Sequence, residues 1–120
     1  MTARALALFT VSASGMRLRV RLLASVRDVD REYRAGWPRR DGKVVHGYFT
    51  STYNASARYI GTIVLPADGR LAELVPHEVA HAVMHELESV ERADDERLAT
   101  TIGLLCARVR AGLKARGVEA

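Results

Sequence analysis

Residues 76–87 read Pro-His-Glu-Val-Ala-His-Ala-Val-Met-His-Glu-Leu, and their apolar members recur at the spacing of a helix. At about 100° per residue, the apolar residues share one side, whereas His77, Glu78 and His81 fall on the opposite arc. Pro76 suits the first turn of such a helix, where its missing N–H has no intrahelical partner. The stretch therefore predicts an amphipathic helix that begins at Pro76 and carries its histidines together.

Strand and helix patterns flank this segment on both sides. Alternating apolar residues predict strands at 3–11, 16–24, 44–50 and 59–65, with the first two joined at Ser14-Gly15. Ser25 and Asp28 resemble a helix start, Gly36 and Pro38 end that helix, and a final helix is predicted over residues 94–113. The expected fold class is α+β, a small, mostly antiparallel sheet packed against the histidine helix and a following C-terminal helix.

Length and composition fit a single globular domain spanning residues 1–120. Hydrophobic residues make up 48% of the chain and charged residues 27%, as in an ordinary folded protein. The net charge is only +4 and aromatic residues amount to 6%, so nucleic acid is not an expected partner. Arg17, Arg19 and Arg21 alternate with apolar residues, which a solvated strand face explains.

The single cysteine, Cys106, excludes an intrachain disulfide and favours a reducing compartment, here the cytoplasm. Its neighbours Leu104, Leu105 and Ala107 predict a buried structural thiol and not a metal ligand. A competing interpretation, export, comes from the short apolar run at residues 5–11, which lacks a strong basic start. No apolar stretch approaches the ~20 residues that span a bilayer.

The spacing of His77 and His81 predicts a metal site. Two histidines four residues apart project from neighbouring turns of one helical face, so both imidazoles can reach one ion. Glu78 stands beside the pair, where it can bond a water on the metal without being a ligand. His-Glu-x-x-His is the zinc-binding pattern of metallopeptidases, and zinc is the expected cofactor.

His85 continues the four-residue series but is not expected to bind the same ion. It lies eight residues beyond His77, which is about 12 Å along a straight helix. Zinc–nitrogen bonds are only about 2.0–2.1 Å long. His85 is therefore interpreted as a polar residue near the helix end.

A catalytic zinc site normally takes three protein ligands, so the third must come from elsewhere. The final helix supplies acidic candidates at its start, and Glu96 is preferred among them. At helical pitch Ala99, Gly103 and Cys106 lie near its side, a face of small residues on which the histidine helix could pack closely, whereas Thr101 points away. Asp95 and Glu91 are the alternative ligands.

With these residues the sequence resembles the gluzincins, thermolysin-like zinc peptidases, and in particular small phage and prophage metallopeptidases. The resemblance lies in His77-Glu78-x-x-His81, the small Ala82 and Glu96-x-x-Ala99. It also takes in Gly47-Tyr48-Phe49 and residues 59–65 ahead of the helix, and covers roughly residues 45–105. It implies a minimal zincin core with an open cleft, because the chain is far shorter than thermolysin.

The resemblance implies a zinc-dependent peptidase, expected to be an endopeptidase, that acts on protein or peptide substrates. Glu78 would be the general base on a metal-activated water and later protonate the leaving amine. Four polar rings are candidates to stabilise the oxyanion: His46, Tyr48, Tyr53 and Tyr59. A non-catalytic zinc-binding interaction module is the alternative function, and a closed structural zinc site is a third interpretation.

Overall fold

The computed structural model describes residues 4–37, 42–54, 59–88 and 95–120, without the side chains of residues 52–54, 86–88 and 95. The elements in chain order are β1 (Ala7–Ala13), β2 (Met16–Leu23), α1 (Val26–Gly36), β3 (Tyr48–Asn54), β4 (Tyr59–Pro66), α2 (Leu71–Glu88) and α3 (Asp95–Lys114). None of the helices in these ranges is both long and apolar enough to cross a membrane. The predicted α+β class is confirmed.

The four strands form one mixed sheet in the order β1-β2-β4-β3. The two outer pairs are antiparallel, and the central pair, β2 with β4, is parallel. The parallel pair arises because the chain leaves β2 through α1 and β3 before it returns in β4, which is the long crossover that parallel neighbours require. The strand β3 is therefore at one edge of the sheet, next to β4.

The β1–β2 hairpin turns at Ser14-Gly15, as predicted. Both residues have positive φ, 52° and 78°, which is the conformation of a two-residue type I′ turn. The turn places Ala13 opposite Met16, so β1 extends to Ala13 and does not stop at residue 11. The start of α1 is also as predicted, because the Ser25 hydroxyl accepts a hydrogen bond from the Asp28 N–H at 3.1 Å.

Strand β3 begins at Tyr48, four residues later than predicted. Val45 is buried, yet its N–H donates to the Asp30 carboxylate at 2.8 Å and not to a neighbouring strand. Its apolar side chain joins a small cluster between the sheet and α1, with Leu23, Val29, Tyr48 and Val64. Residues 44–47 thus form a connecting segment that passes α1 before β3 begins to pair with β4.

The main core fills the opposite side of the sheet, where α2 and α3 pack. Its central members are Leu18, Val20 and Leu22 of β2, Ile63 and Leu65 of β4, Val75, Val79 and Val83 of α2, and Leu105, Val109 and Leu113 of α3. Cys106 is buried here as predicted, and this burial raises the pKa of its thiol.

Helix α2 begins at Leu71 and not at Pro76, which lies inside it. A turn precedes the helix, and the Leu74 N–H already donates to the Arg70 carbonyl at 2.9 Å. Leu71, Val75 and Val79 are all buried at i, i+4 and i+8, so core packing holds the five added residues in the helix despite the hydrogen bond that a proline removes. The histidines consequently lie in the middle of a long, anchored helix.

The Glu32 side chain joins α1 to the sheet and gives the first testable prediction. It forms an ion pair with Arg21 and accepts a hydrogen bond from the Tyr48 hydroxyl at 3.2 Å, with only 9% of its side chain exposed. We expect Glu32→Ala to lower the free energy of unfolding by about 1–3 kcal/mol, because it removes a partly buried carboxylate from two polar partners. Urea denaturation measures this change.

The matched control is Glu73→Ala, which removes an exposed carboxylate 3.9 Å from Arg70. Such surface pairs contribute about 0–1 kcal/mol, so the control should unfold almost like the wild type. Equal losses in the two variants would contradict the role assigned to Glu32.

Candidate metal centre

His77 and His81 project from successive turns of α2 toward one another. Their Nε2 atoms lie 3.1 Å apart, and their ring centroids are separated by 4.6 Å with the planes at 81°. Both side chains are exposed, so solvent and ligands can reach them. The four-residue spacing thus brings the two imidazoles together, as the sequence predicts.

This pair of nitrogens fits a shared zinc ion. Because zinc–nitrogen bonds are about 2.0–2.1 Å long, two nitrogens at the observed separation subtend about 100° at a common ion, near the tetrahedral angle. Imidazole nitrogens are also common ligands of zinc. Distance and donor type therefore both suit a metal centre.

Glu78 lies beside the histidines but is buried, with 4% of its surface exposed. The sequence prediction placed it on the exposed arc with the histidines, and this was wrong, because the segment before β3 covers it. A Cβ added to Gly47 would lie 3.4 Å from the Glu78 Oε2. The Gly47 backbone thus lies close against the carboxylate and helps to cover it.

The environment of Glu78 changes its acidity. Burial raises the pKa of its carboxyl group, and the charge of His77 acts in the opposite direction. Side-chain ligand atoms of His77, Glu78 and His81 all lie within 4.8 Å of one another. Among the described residues, a carboxylate of increased basicity therefore adjoins two convergent imidazoles.

These side chains face a cavity of about 430 Å³ between α2, α1 and the start of β3. Tyr33, Tyr48 and Phe49 give it an aromatic wall, and Met84 and His85 continue it along α2. Since β3 is an edge strand, the cavity opens beside a strand whose outer side can pair with an extended chain.

Glu96 lies outside the His77, Glu78 and His81 group in the structure. Its side chain is exposed in the first turn of α3. The histidine helix was predicted to pack closely on the small residues near Glu96. This was wrong, because Ala99 and Gly103 are exposed and a Cβ added to Gly103 would meet no atom within 4 Å. Thr101, which was expected to point away from that small-residue face, is buried.

The two alternative ligands lie beyond what the structure describes. Glu91 is outside the described residues, and Asp95 is described only in its backbone. The third ligand consequently remains a prediction, with Glu96 as the first choice.

The candidate oxyanion donors are widely separated. Tyr48 lines the cavity, but its hydroxyl donates to Glu32, and burial together with the adjacent Glu32 carboxylate raises the pKa of Tyr48. Tyr59 contacts Arg17 and Arg19 on the side of the sheet opposite α2. His46 is exposed outside the cavity lining, and the Tyr53 side chain is not among those described.

His85 lines the cavity. From the sequence it was expected only to be a polar residue near the end of the helix. Its ring lies 5.8 Å from that of Phe49, between centroids. The signal that could have found it was present, since His85 follows His81 by four residues and so shares its side of the helix. His85 therefore contributes a polar ring to the cavity lining, but it does not belong to the group formed by His77, Glu78 and His81.

No known protein-family model matches the chain, and neither a curated protein nor a solved structure is significantly similar to it. The functional assignment therefore depends on the residues of the centre and their geometry.

Proposed function

We propose that the protein is a zinc-dependent peptidase in which His77 and His81 bind the metal and Glu78 is the general base. The observation that carries the proposal is the 3.1 Å approach of the two Nε2 atoms beside a buried carboxylate. An isolated pair of surface histidines would have no need of such a neighbour. A buried carboxylate costs free energy, and a proton-transfer role gives a reason for that cost.

When bound, zinc would polarise the scissile carbonyl and lower the pKa of water. Glu78 would take a proton from the attacking water and later deliver it to the leaving amine, with the C–N bond broken and one water consumed. Burial raises the pKa of Glu78, so the carboxylate holds a proton more readily than an exposed glutamate does. That property suits a group that must first accept a proton and then release it.

The substrate proposed is an extended peptide segment, which would make the enzyme an endopeptidase. Such a segment can pair antiparallel with the outer side of β3, because main-chain hydrogen bonds at a sheet edge recognise peptides without regard to sequence. The aromatic wall of Tyr33, Tyr48 and Phe49 would then face a substrate side chain. A reducing compartment such as the cytoplasm suits the single thiol of Cys106.

The third ligand is proposed to be Glu96, and the support for this choice is the resemblance of Glu96-x-x-Ala99 to the glutamate helix of small gluzincin-like metallopeptidases. We expect Glu96→Ala to weaken zinc binding more than Glu91→Ala or Asp95→Ala, because only a carboxylate that completes the three-ligand set contributes a direct bond. Competition titration with a zinc-sensitive dye measures the three dissociation constants. A larger loss in either alternative variant would move the assignment to that residue.

The proposal as a whole is tested by a cleavage assay on a quenched-fluorescent protein substrate. Cleavage should stop when a chelator removes the metal and return when zinc is restored. Cleavage that persists after complete metal removal would contradict the proposal. A protein that binds zinc but cleaves no substrate would instead support the non-catalytic interaction module.

A further inference from the structure

On the side of the sheet opposite α2 and α3, the elements that the structure describes leave one part uncovered. Helix α1 covers the end of this side near Val64 and Tyr48, and Glu32 of α1 pairs with Arg21. Beyond that point Arg17 and Arg19 of β2 are exposed. Their cross-strand neighbours share the same side of the sheet, and we call this surface the arginine face: Thr10, Ser12, Arg17, Arg19, Tyr59 and Thr62.

Tyr59 lies across the arginine face. Its hydroxyl lies 3.4 Å from the Thr10 hydroxyl, although Thr10 is on β1 and Tyr59 is on β4, with β2 between them. The guanidinium carbons of Arg17 and Arg19 lie 5.0 and 5.4 Å from the centre of its ring. The phenol ring thus crosses β2 beside two cationic groups, within the range of cation–π attraction.

The positive charge on this face is not compensated by acids on the strands. Residues 1–27 contain five arginines and neither Asp nor Glu. Among the residues that the structure describes, neither Arg17 nor Arg19 forms an ion pair. The hydrogen bond with Thr10, followed by the nearby guanidinium groups, lowers the pKa of Tyr59.

The basic surface continues around the β1 edge of the sheet. Arg108 of α3 donates a hydrogen bond to the carbonyl of Ser12, and Arg116 lies 4.2 Å from the ring centre of Phe9. An anionic chain that crosses the arginine face would therefore meet further cations where it leaves the sheet. A small anion would not need this extent of surface.

We propose that the arginine face binds single-stranded nucleic acid, with Arg17 and Arg19 on successive phosphates and the Tyr59 ring against a base. Side chains two residues apart on a strand are separated by about 6.8 Å, which allows each guanidinium group to take a separate phosphate. An accessible aromatic ring among cations is a feature of surfaces that bind single strands, and the Tyr59 ring is only partly buried. A flat sheet face cannot enter the major groove of a duplex, which excludes paired nucleic acid from this mode.

An acidic peptide matches the charge but leaves the ring without a role, so the aromatic group favours nucleic acid. The low aromatic content of the whole chain made nucleic acid an unexpected partner, but folding brings one tyrosine across two arginines from another strand. The proposal does not depend on zinc, because α2 packs against the opposite face of the sheet.

Fluorescence anisotropy with a labelled 20-nucleotide single-stranded RNA of mixed sequence tests the proposal. At physiological salt we expect a dissociation constant of about 1–100 µM. The double variant R17A/R19A should reduce the slope of log K against log salt concentration by about 1.4, the loss expected for two single-strand phosphate contacts. Tyr59→Ala should weaken binding by about 5- to 150-fold, whereas Tyr59→Phe, which keeps the ring, should bind within about twofold of the wild type.

The matched control is R27A/R31A, which removes the same charge from exposed positions on α1. It should leave the salt slope unchanged, and circular dichroism should show that every variant is folded. Four results would overturn the proposal: no binding at 100 µM protein, an equal effect of the control variant, equally tight binding of a duplex, or equally effective competition by polyglutamate or by anionic lipid vesicles. His77→Ala should bind RNA like the wild type, which separates this test from that of the metal centre.

Discussion

Glu78→Gln is expected to slow peptide cleavage by about 10²–10⁴-fold while zinc content and folding stay at wild-type levels. The factor is the usual contribution of general acid–base catalysis. Glutamine keeps the size and hydrogen-bonding ability of the buried side chain but cannot accept the proton from water. Steady-state cleavage rates measured at equal zinc content give the effect directly.

The matched control for this variant is Glu73→Gln, an exposed glutamate earlier in the same helix. It should cleave at the wild-type rate, because it lies outside the cavity lining. If Glu78→Gln cleaves as fast as the wild type with equal zinc, the proposed mechanism is wrong.

His77→Ala and His81→Ala are each expected to weaken zinc binding by more than about 100-fold. Even residues that only orient a ligand typically contribute 10–100-fold to metal affinity, and these variants remove a ligand outright. Zinc competition titration of folded protein measures the loss. Both side chains are exposed, so the helix should survive either substitution.

His85→Ala is the matched control, since it removes the same side chain from the same helix and the same cavity. It should change zinc affinity by less than about threefold, because His85 lies about 12 Å along the helix axis from His77. Comparable losses at all three histidines would contradict the two-histidine centre.

Local signals predicted much of the fold. The alternation in β2, the hairpin at Ser14-Gly15 and the capping of α1 by Ser25 all depend on neighbouring residues, and each is found in the structure. The apolar run of β4 is also found within one residue of its predicted end. Such features are determined by residues close together in the sequence, so they can be predicted without the tertiary structure.

Features set by tertiary contacts were not predictable in the same way. Pro76 looked like a helix start, but Leu71 and Val75 extend α2 by five residues because they pack into the core. Val45 looked like part of a strand, but its N–H bonds to Asp30 of α1. The parallel pairing of β2 with β4 likewise depends on where α1 directs the chain.

In the candidate site, too, one feature follows from the local sequence and another depends on tertiary contacts. Helical spacing was sufficient to bring His77 and His81 together, whereas the burial of Glu78 involves contact with Gly47, from a segment 31 residues earlier in the chain. The small residues Ala99 and Gly103 beside Glu96 do not form a packed face, because small residues occur on exposed as well as packed faces of helices. A third ligand from another element needs tertiary information that helical periodicity does not contain.

The central claim is that His77 and His81 form a zinc centre, and metal analysis of the purified full chain tests it most directly. The protein should be purified without added metal, analysed by mass spectrometry for metals, and analysed again after zinc titration and removal of unbound ions. We expect about one zinc per chain, since two imidazoles and one carboxylate complete a three-ligand site. Substoichiometric zinc even after titration would contradict the account.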